Sequence, residues 1–160
     1  YGRASDHLDA ALAGHEDIDN RSGAGEVRVE LGRLALARGN LERAERQARL
    51  AQDTLGDLDA AHWLGRCHRL LGAVADERGE SDAACEHWQR ALDTFEQVDT
   101  PRDELHTLAS LVEIRHEQGD DERAREWCRQ ARTTLEDAPD SVAGRHREWV
   151  ETAASELGLD

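Results

Sequence analysis

Residues 71–97 read LGAVADERGESDAACEHWQRALDTFEQ: one apolar helical pattern, a turn centred on Gly79, and a second apolar helical pattern. Sliding this stretch forty residues in either direction finds it again. Gly39, Gly79 and Gly119 are forty apart, and so are Leu31, Leu71 and Leu111. The same offset joins Ala44, Ala84 and Ala124, then Ala51, Ala91 and Ala131, then Thr54, Thr94 and Thr134. A fixed period of roughly 20 to 50 residues marks an array of stacked units, each burying its apolar face against the next.

Outward from that stretch the chain resolves into helical pairs. Val27, Leu31, Leu34 and Ala35 step by three and four, which predicts a helix over about 26–38 ended by Gly39. Asn40 is placed to cap a second helix that carries Leu41, Ala44, Ala48, Ala51, Leu55 and Leu58. Residues 18–25, IDNRSGAG, read as a loose loop with Ser22 as a candidate cap. Thr100-Pro101-Arg102-Asp103 starts a helix, with Thr100 accepting from first-turn amides, and Ala138-Pro139-Asp140-Ser141 breaks and recaps the chain. Eight helices and no strands are expected. Three full repeats, 21–59, 60–99 and 100–139, are flanked by a second half-repeat at 1–20 and a first half-repeat at 140–160, in one repeat domain. With no Met in the chain, Tyr1 is not expected to be a natural start, and the sequence reads as part of a longer protein.

Composition narrows the function classes. The formal net charge is -15, from 35 acidic residues against 20 basic ones, all of them Arg. Such a surface repels phosphate backbones and anionic lipid, so neither nucleic acid nor a membrane is an expected partner. No apolar run approaches the roughly 18 residues that span a bilayer, and three cysteines in a chain of 160 suit a reducing compartment, so a soluble cytoplasmic protein is expected. Aromatic residues make up 4% and the apolar supply is mainly Ala and Leu, which favours close helix packing.

The residues that recur resemble the tetratricopeptide repeat, a helix-turn-helix unit with the pattern W-x2-L-G-x2-Y, then A-x3-F, then P. The first halves here read Arg28-x2-Leu31-Gly32-x2-Ala35, His68-x2-Leu71-Gly72-x2-Ala75 and Leu108-x2-Leu111-Val112-x2-Arg115. The second halves read Ala44-x3-Ala48, Ala84-x3-Trp88 and Ala124-x3-Cys128. The period exceeds the family's usual 34 or so, and Gly56, Glu96 and Glu136 stand where a closing Pro is common, as in the elongated variants of the repeat. HEAT and armadillo hairpins compete on length, while the Leu-Gly and Ala columns favour the tetratricopeptide reading. The resemblance implies an all-α fold, a right-handed superhelix of stacked antiparallel helix pairs. Leu31, Gly32, Ala44, Ala51, Leu71, Gly72, Ala84, Trp88, Ala91, Leu111, Ala124 and Ala131 are then packing positions.

It also implies a non-enzymatic scaffold that binds a protein or peptide segment on its concave face, lined by the first helix of each pair. Carried over by column, that face includes Val29, Arg33, Leu36, Arg66, Arg69, Ala73, His106, Ser110, Glu113 and Trp149. Arg33, Arg66 and Arg69 are candidates to receive a partner's carboxylates, or else to pair with Glu26, Glu30 and Asp76. Some members grip acidic chaperone tails through Lys and Asn; the matching positions hold Val29, Glu30, Arg33, Arg69 and Leu70, which do not support that specificity. An exposed Trp149 would be the strongest single anchor. A second expectation is self-association through the terminal half-repeats, Tyr1 to Asp17 and Val142 to Asp160, as the regulatory part of a larger signalling or transcription protein.

No chemistry stands out. A nucleophile beside a base, a phosphate-cradling Gly loop and a helical H-E-x-x-H are all missing from the sequence. Cys85 and His87 are two apart, which sets them on different sides of a helix, and Cys67 with His68 does no better. Neither a metal nor a cofactor is expected.

Overall fold

The computed structural model of the chain describes residues 2–159. Among them every helix or strand element is an α-helix: α1 (Gly2–Asp17), α2 (Arg21–Leu36), α3 (Leu41–Leu55), α4 (Ala61–Glu77), α5 (Ser81–Gln97), α6 (Pro101–Glu117), α7 (Asp121–Asp137) and α8 (Asp140–Glu156). This is the all-α, eight-helix arrangement of a helical repeat. Tyr1 and Asp160, the outer ends of the two expected half-repeats, lie outside the described residues.

The repeat is written into the turns. Gly39, Gly79 and Gly119 take φ of 70°, 74° and 75°, the left-handed region that glycine enters without steric cost. Each closes a helix with the same two bonds. Asn40, Glu80 and Asp120 donate their amides to Ala35, Ala75 and Arg115, while the glycine amides reach Leu36, Asp76 and His116. That is the Schellman pattern, which satisfies carbonyls a helix end leaves open. The next residue then starts the following helix: Asn40 and Asp120 accept from the amides of Arg43 and Arg123.

Of residues 18–25, 18–20 form a tight turn and 21–25 already belong to α2. Asn20, not Ser22, caps α2 by accepting from the Gly23 amide at 3.0 Å, and the helix starts at Arg21. Gly23 and Gly25 are buried helix positions where neighbours come too close for a side chain. A Cβ on Gly23 would stand 2.5 Å from the His15 ring, and one on Gly25 2.5 Å from Leu55. Their composition mimics turn chemistry, but close approach is what they provide. Thr100 also departs from expectation: it sits at the cap position of α6 without a side-chain cap, its hydroxyl instead donating to the Phe95 carbonyl at 3.3 Å.

The chain forms two compact units that divide at His87 and Trp88, inside α5. In the first, α2 packs on α1, α3 and α4, and α3 packs on α4. Ala35, Ala44, Ala48, Leu70, Leu71 and Val74 make one core cluster; Val29, Ala51, Leu55, Ala60 and Cys67 make another. In the second unit α6 packs on both α7 and α8 around Val112, Ala124, Cys128, Ala153, Ala154 and Leu157. All twelve packing positions expected from the columns are buried. The Ala columns at 44, 84, 124 and at 51, 91, 131 have no exposed area. Small side chains let helix axes approach until backbone and Leu side chains fill the gap, which is how an Ala-rich chain builds a dense interior. Among the described residues no helix is long and apolar enough to cross a membrane.

Candidate functional site

In the first unit the first helices α2 and α4 lie against each other, and polar residues gather along that pair. Glu30 accepts from Arg33 Nη1 with both oxygens, at 2.9 and 3.2 Å, and its Oε1 lies 3.3 Å from Arg66 Nη2. One carboxylate therefore serves two guanidiniums, leaving one positive charge over at this spot. The Arg66 guanidinium also lies 4.7 Å from the centroid of the Trp63 ring, within reach of a cation–π contact. Its side chain is 18% exposed and that of Arg33 is 50% exposed, so Arg66 is held and Arg33 is the one offered to solvent. A position over an indole suits Arg, whose guanidinium is more weakly hydrated than a Lys ammonium.

The remaining residues expected on this face divide by burial. Arg69, Ala73 and Leu36 are half-buried, with Leu36 resting on the core cluster around Ala35 and Leu71. Val29 is fully buried against Ala51, Leu55 and Cys67, and Leu70 is 4% exposed. Val29 is thus a core residue and not a contact position: its column faces α3, because the apolar stripe of α2 is wider than the column carried over from the resemblance allowed.

In the second unit α6 and α8 are neighbours, and residues forty apart meet: His106 and His146 stand edge to face with centroids 4.6 Å apart. His106 and Glu113 are exposed and Ser110 is half-buried. Burial, then the Arg102 and Arg145 charges, hold the His146 imidazole below its ordinary pKa. Trp149 is half-buried, packed in part against the core around Val112 and Ala154. An indole in a small-residue helix array has enough area to cover the gap beside Ala153 and Ala154.

The sequence reasoning missed Trp63 and His87. Trp63 supports Arg66 from one turn earlier on the same helix, a spacing of three that was legible in principle. His87 meets His68 from the next helix, which no local spacing reveals. Among the described residues no three His, Cys, Asp or Glu side chains converge as a metal-binding group. Cys67, Cys85 and Cys128 are buried thiols outside any disulfide, and burial pushes the Cys67 pKa up to about 12, far from a reactive thiolate. No protein-family model matches the chain, and neither does any curated protein.

Proposed function

We propose that the chain is a tetratricopeptide-like interaction module that binds an acidic protein segment, with no chemistry of its own. The observation that carries this reading is the Glu30–Arg33–Arg66 cluster. On a chain of net charge -15, a surplus cation held beside an aromatic ring is a specific place for a partner's carboxylate. Arg66, held over the Trp63 ring and paired with Glu30, is already oriented, so little side-chain entropy is lost when it receives a second carboxylate. Arg33 can leave Glu30 for a partner at small cost, since an exposed ion pair contributes only about 0 to 1 kcal/mol. The forty-residue hairpins supply the rigid frame, their packing columns buried and their first helices adjacent within each unit.

The test is a titration of the full chain with fluorescent peptides of matched length that are Glu/Asp-rich, neutral or Arg-rich. Acidic peptides are expected to bind best, with affinity falling as salt rises. Arg33→Glu and Arg66→Glu should each weaken them by about tenfold or more, roughly the effect of truncating one charged partner of a bound pair. Unchanged affinity in both variants, or a preference for Arg-rich peptides, refutes the assignment.

A further inference from the structure

The forty-residue columns part company at two places in the second hairpin. Where the first hairpin carries Arg28 and Gln47, and the third Leu108 and Trp127, the second carries His68 on α4 and His87 on α5. Both residues are half-buried and their rings meet, Nδ1 to Nδ1 at 3.4 Å, with centroids 5.6 Å apart and planes inclined by 30°. Gln52 of α3 sets its amide beside His68, 3.3 Å from Nε2 and 3.5 Å from Nδ1.

An N–H···N bond between two imidazoles is strongest at about 2.7–3.2 Å, and this pair is wider than that. The spacing fits something else. Two ligands on a tetrahedral metal with bonds of about 2.0–2.1 Å stand about 3.3–3.4 Å apart, the edge of the tetrahedron. Imidazole centroids on such a centre stand about 5.2 Å apart; here the two Nδ1 atoms face each other nearly end to end, so both rings must swing off that line for their lone pairs to converge on one ion. We propose that His68 and His87 form a two-imidazole site for a divalent transition metal of the Zn(II), Cu(II) or Ni(II) class, with water completing the shell.

The surroundings suit that assignment. Neutral nitrogen donors without a carboxylate select borderline metals over Mg(II) and Ca(II). Half-burial leaves a path for the ion and its waters, and a net charge of -15 raises the local cation concentration. Binding needs both Nδ1 lone pairs, so His68 must carry its proton on Nε2. The Gln52 amide nitrogen, nearly equidistant from the two ring nitrogens, rests on the face of the His68 ring. The neighbouring Cys67 is not a competing ligand, since its thiol is fully buried in the cluster with Val29 and Leu55. The other histidine pair differs in kind: His106 and His146 meet edge to face at 86°, which turns a ring face, and not a lone pair, toward the partner.

The experiment titrates the full chain with ZnCl2 and CuCl2 by calorimetry and records the Cu(II) paramagnetic resonance spectrum at one equivalent. One ion per chain is expected, with superhyperfine structure from two imidazole nitrogens. His68→Gln and His87→Gln should each lose one nitrogen from the spectrum and more affinity than the roughly 10-fold that loss of an outer-shell partner costs. His106→Gln should leave binding unchanged. Circular dichroism shows that each variant is folded, and the spectrum of the unaltered chain reads the site without any substitution. No binding by the unaltered chain, a single-nitrogen spectrum, or affinity unchanged from the unaltered chain in both histidine variants overturns the proposal.

Discussion

Leu70 occupies the space that a side chain on Gly32 would need: a Cβ built there stands 2.5 Å from Leu70 Cδ2, 3.2 Å from the Ala44 carbonyl oxygen and 3.4 Å from Gln47 Cβ. Three helices of the first unit therefore converge on one missing side chain. Gly32→Ala is expected to destabilise the protein by about 1–2 kcal/mol, because an overpacking cost of about 1–3 kcal/mol outweighs the gain of up to about 1 kcal/mol in helix propensity. Gly144→Ala, with nothing within 4 Å of its added methyl, should stabilise by about 0.5–1 kcal/mol. Urea denaturation measures both. A Gly32→Ala variant as stable as Gly144→Ala would show that α2, α3 and α4 do not meet here.

Asp19 and Asp99 hold φ of 54° and 52° at the turns where Gly39, Gly79 and Gly119 stand in the others. A non-glycine residue resists that conformation, although Asp tolerates it better than most. Gly79→Ala is expected to lose about 1–2 kcal/mol. Asp99→Gly is expected to lie between neutral and about 1 kcal/mol stabilised, strain relief offsetting the greater freedom of glycine in the unfolded chain. Thermal melts of the two variants should move apart; a fall in stability for Asp99→Gly would mean that its side chain holds the turn.

Glu104 is a carboxylate in an apolar column, where the earlier repeats carry Ala24 and Leu64. It is 8% exposed, accepts from the Thr134 hydroxyl at 3.5 Å, and lines a recess of 230 Å³ with Glu96, Asp99 and Asp137. Burial, then the Glu96 and Asp99 charges, push its pKa up. The native state thus keeps this proton to higher pH than the unfolded chain does. Stability from Glu104 is therefore greatest at or below the ordinary glutamate range and declines as pH rises through the raised native value. Glu104→Gln should stabilise by up to about 1 kcal/mol at neutral pH, the scale of a relieved buried polar group, and the advantage should shrink on acidification. Melts of both proteins across that range provide the check, and a gap that widens toward low pH would reverse the assignment. The Thr column reports the same departure. Thr54 and Thr94 donate to Leu50 and Arg90 carbonyls one turn back, whereas Thr134 donates to Glu104.

The sequence by itself determined the helices, the hairpin turns at Gly39, Gly79 and Gly119, and the buried columns. Each depends on short-range chemistry: a 3.6-residue period, a left-handed glycine and a small side chain repeated in register. It was silent or misleading where a residue's role depends on a neighbour from another helix. Gly23 and Gly25 look like turn residues until His15 and Leu55 are seen above them. Val29 falls in a binding column until the cluster that covers it is in place. The Glu30–Arg33–Arg66 cluster needs α2 beside α4, and the His68–His87 pair needs two facing helices. Those juxtapositions are set by how the helices pack, so only the tertiary structure could decide which polar side chains meet.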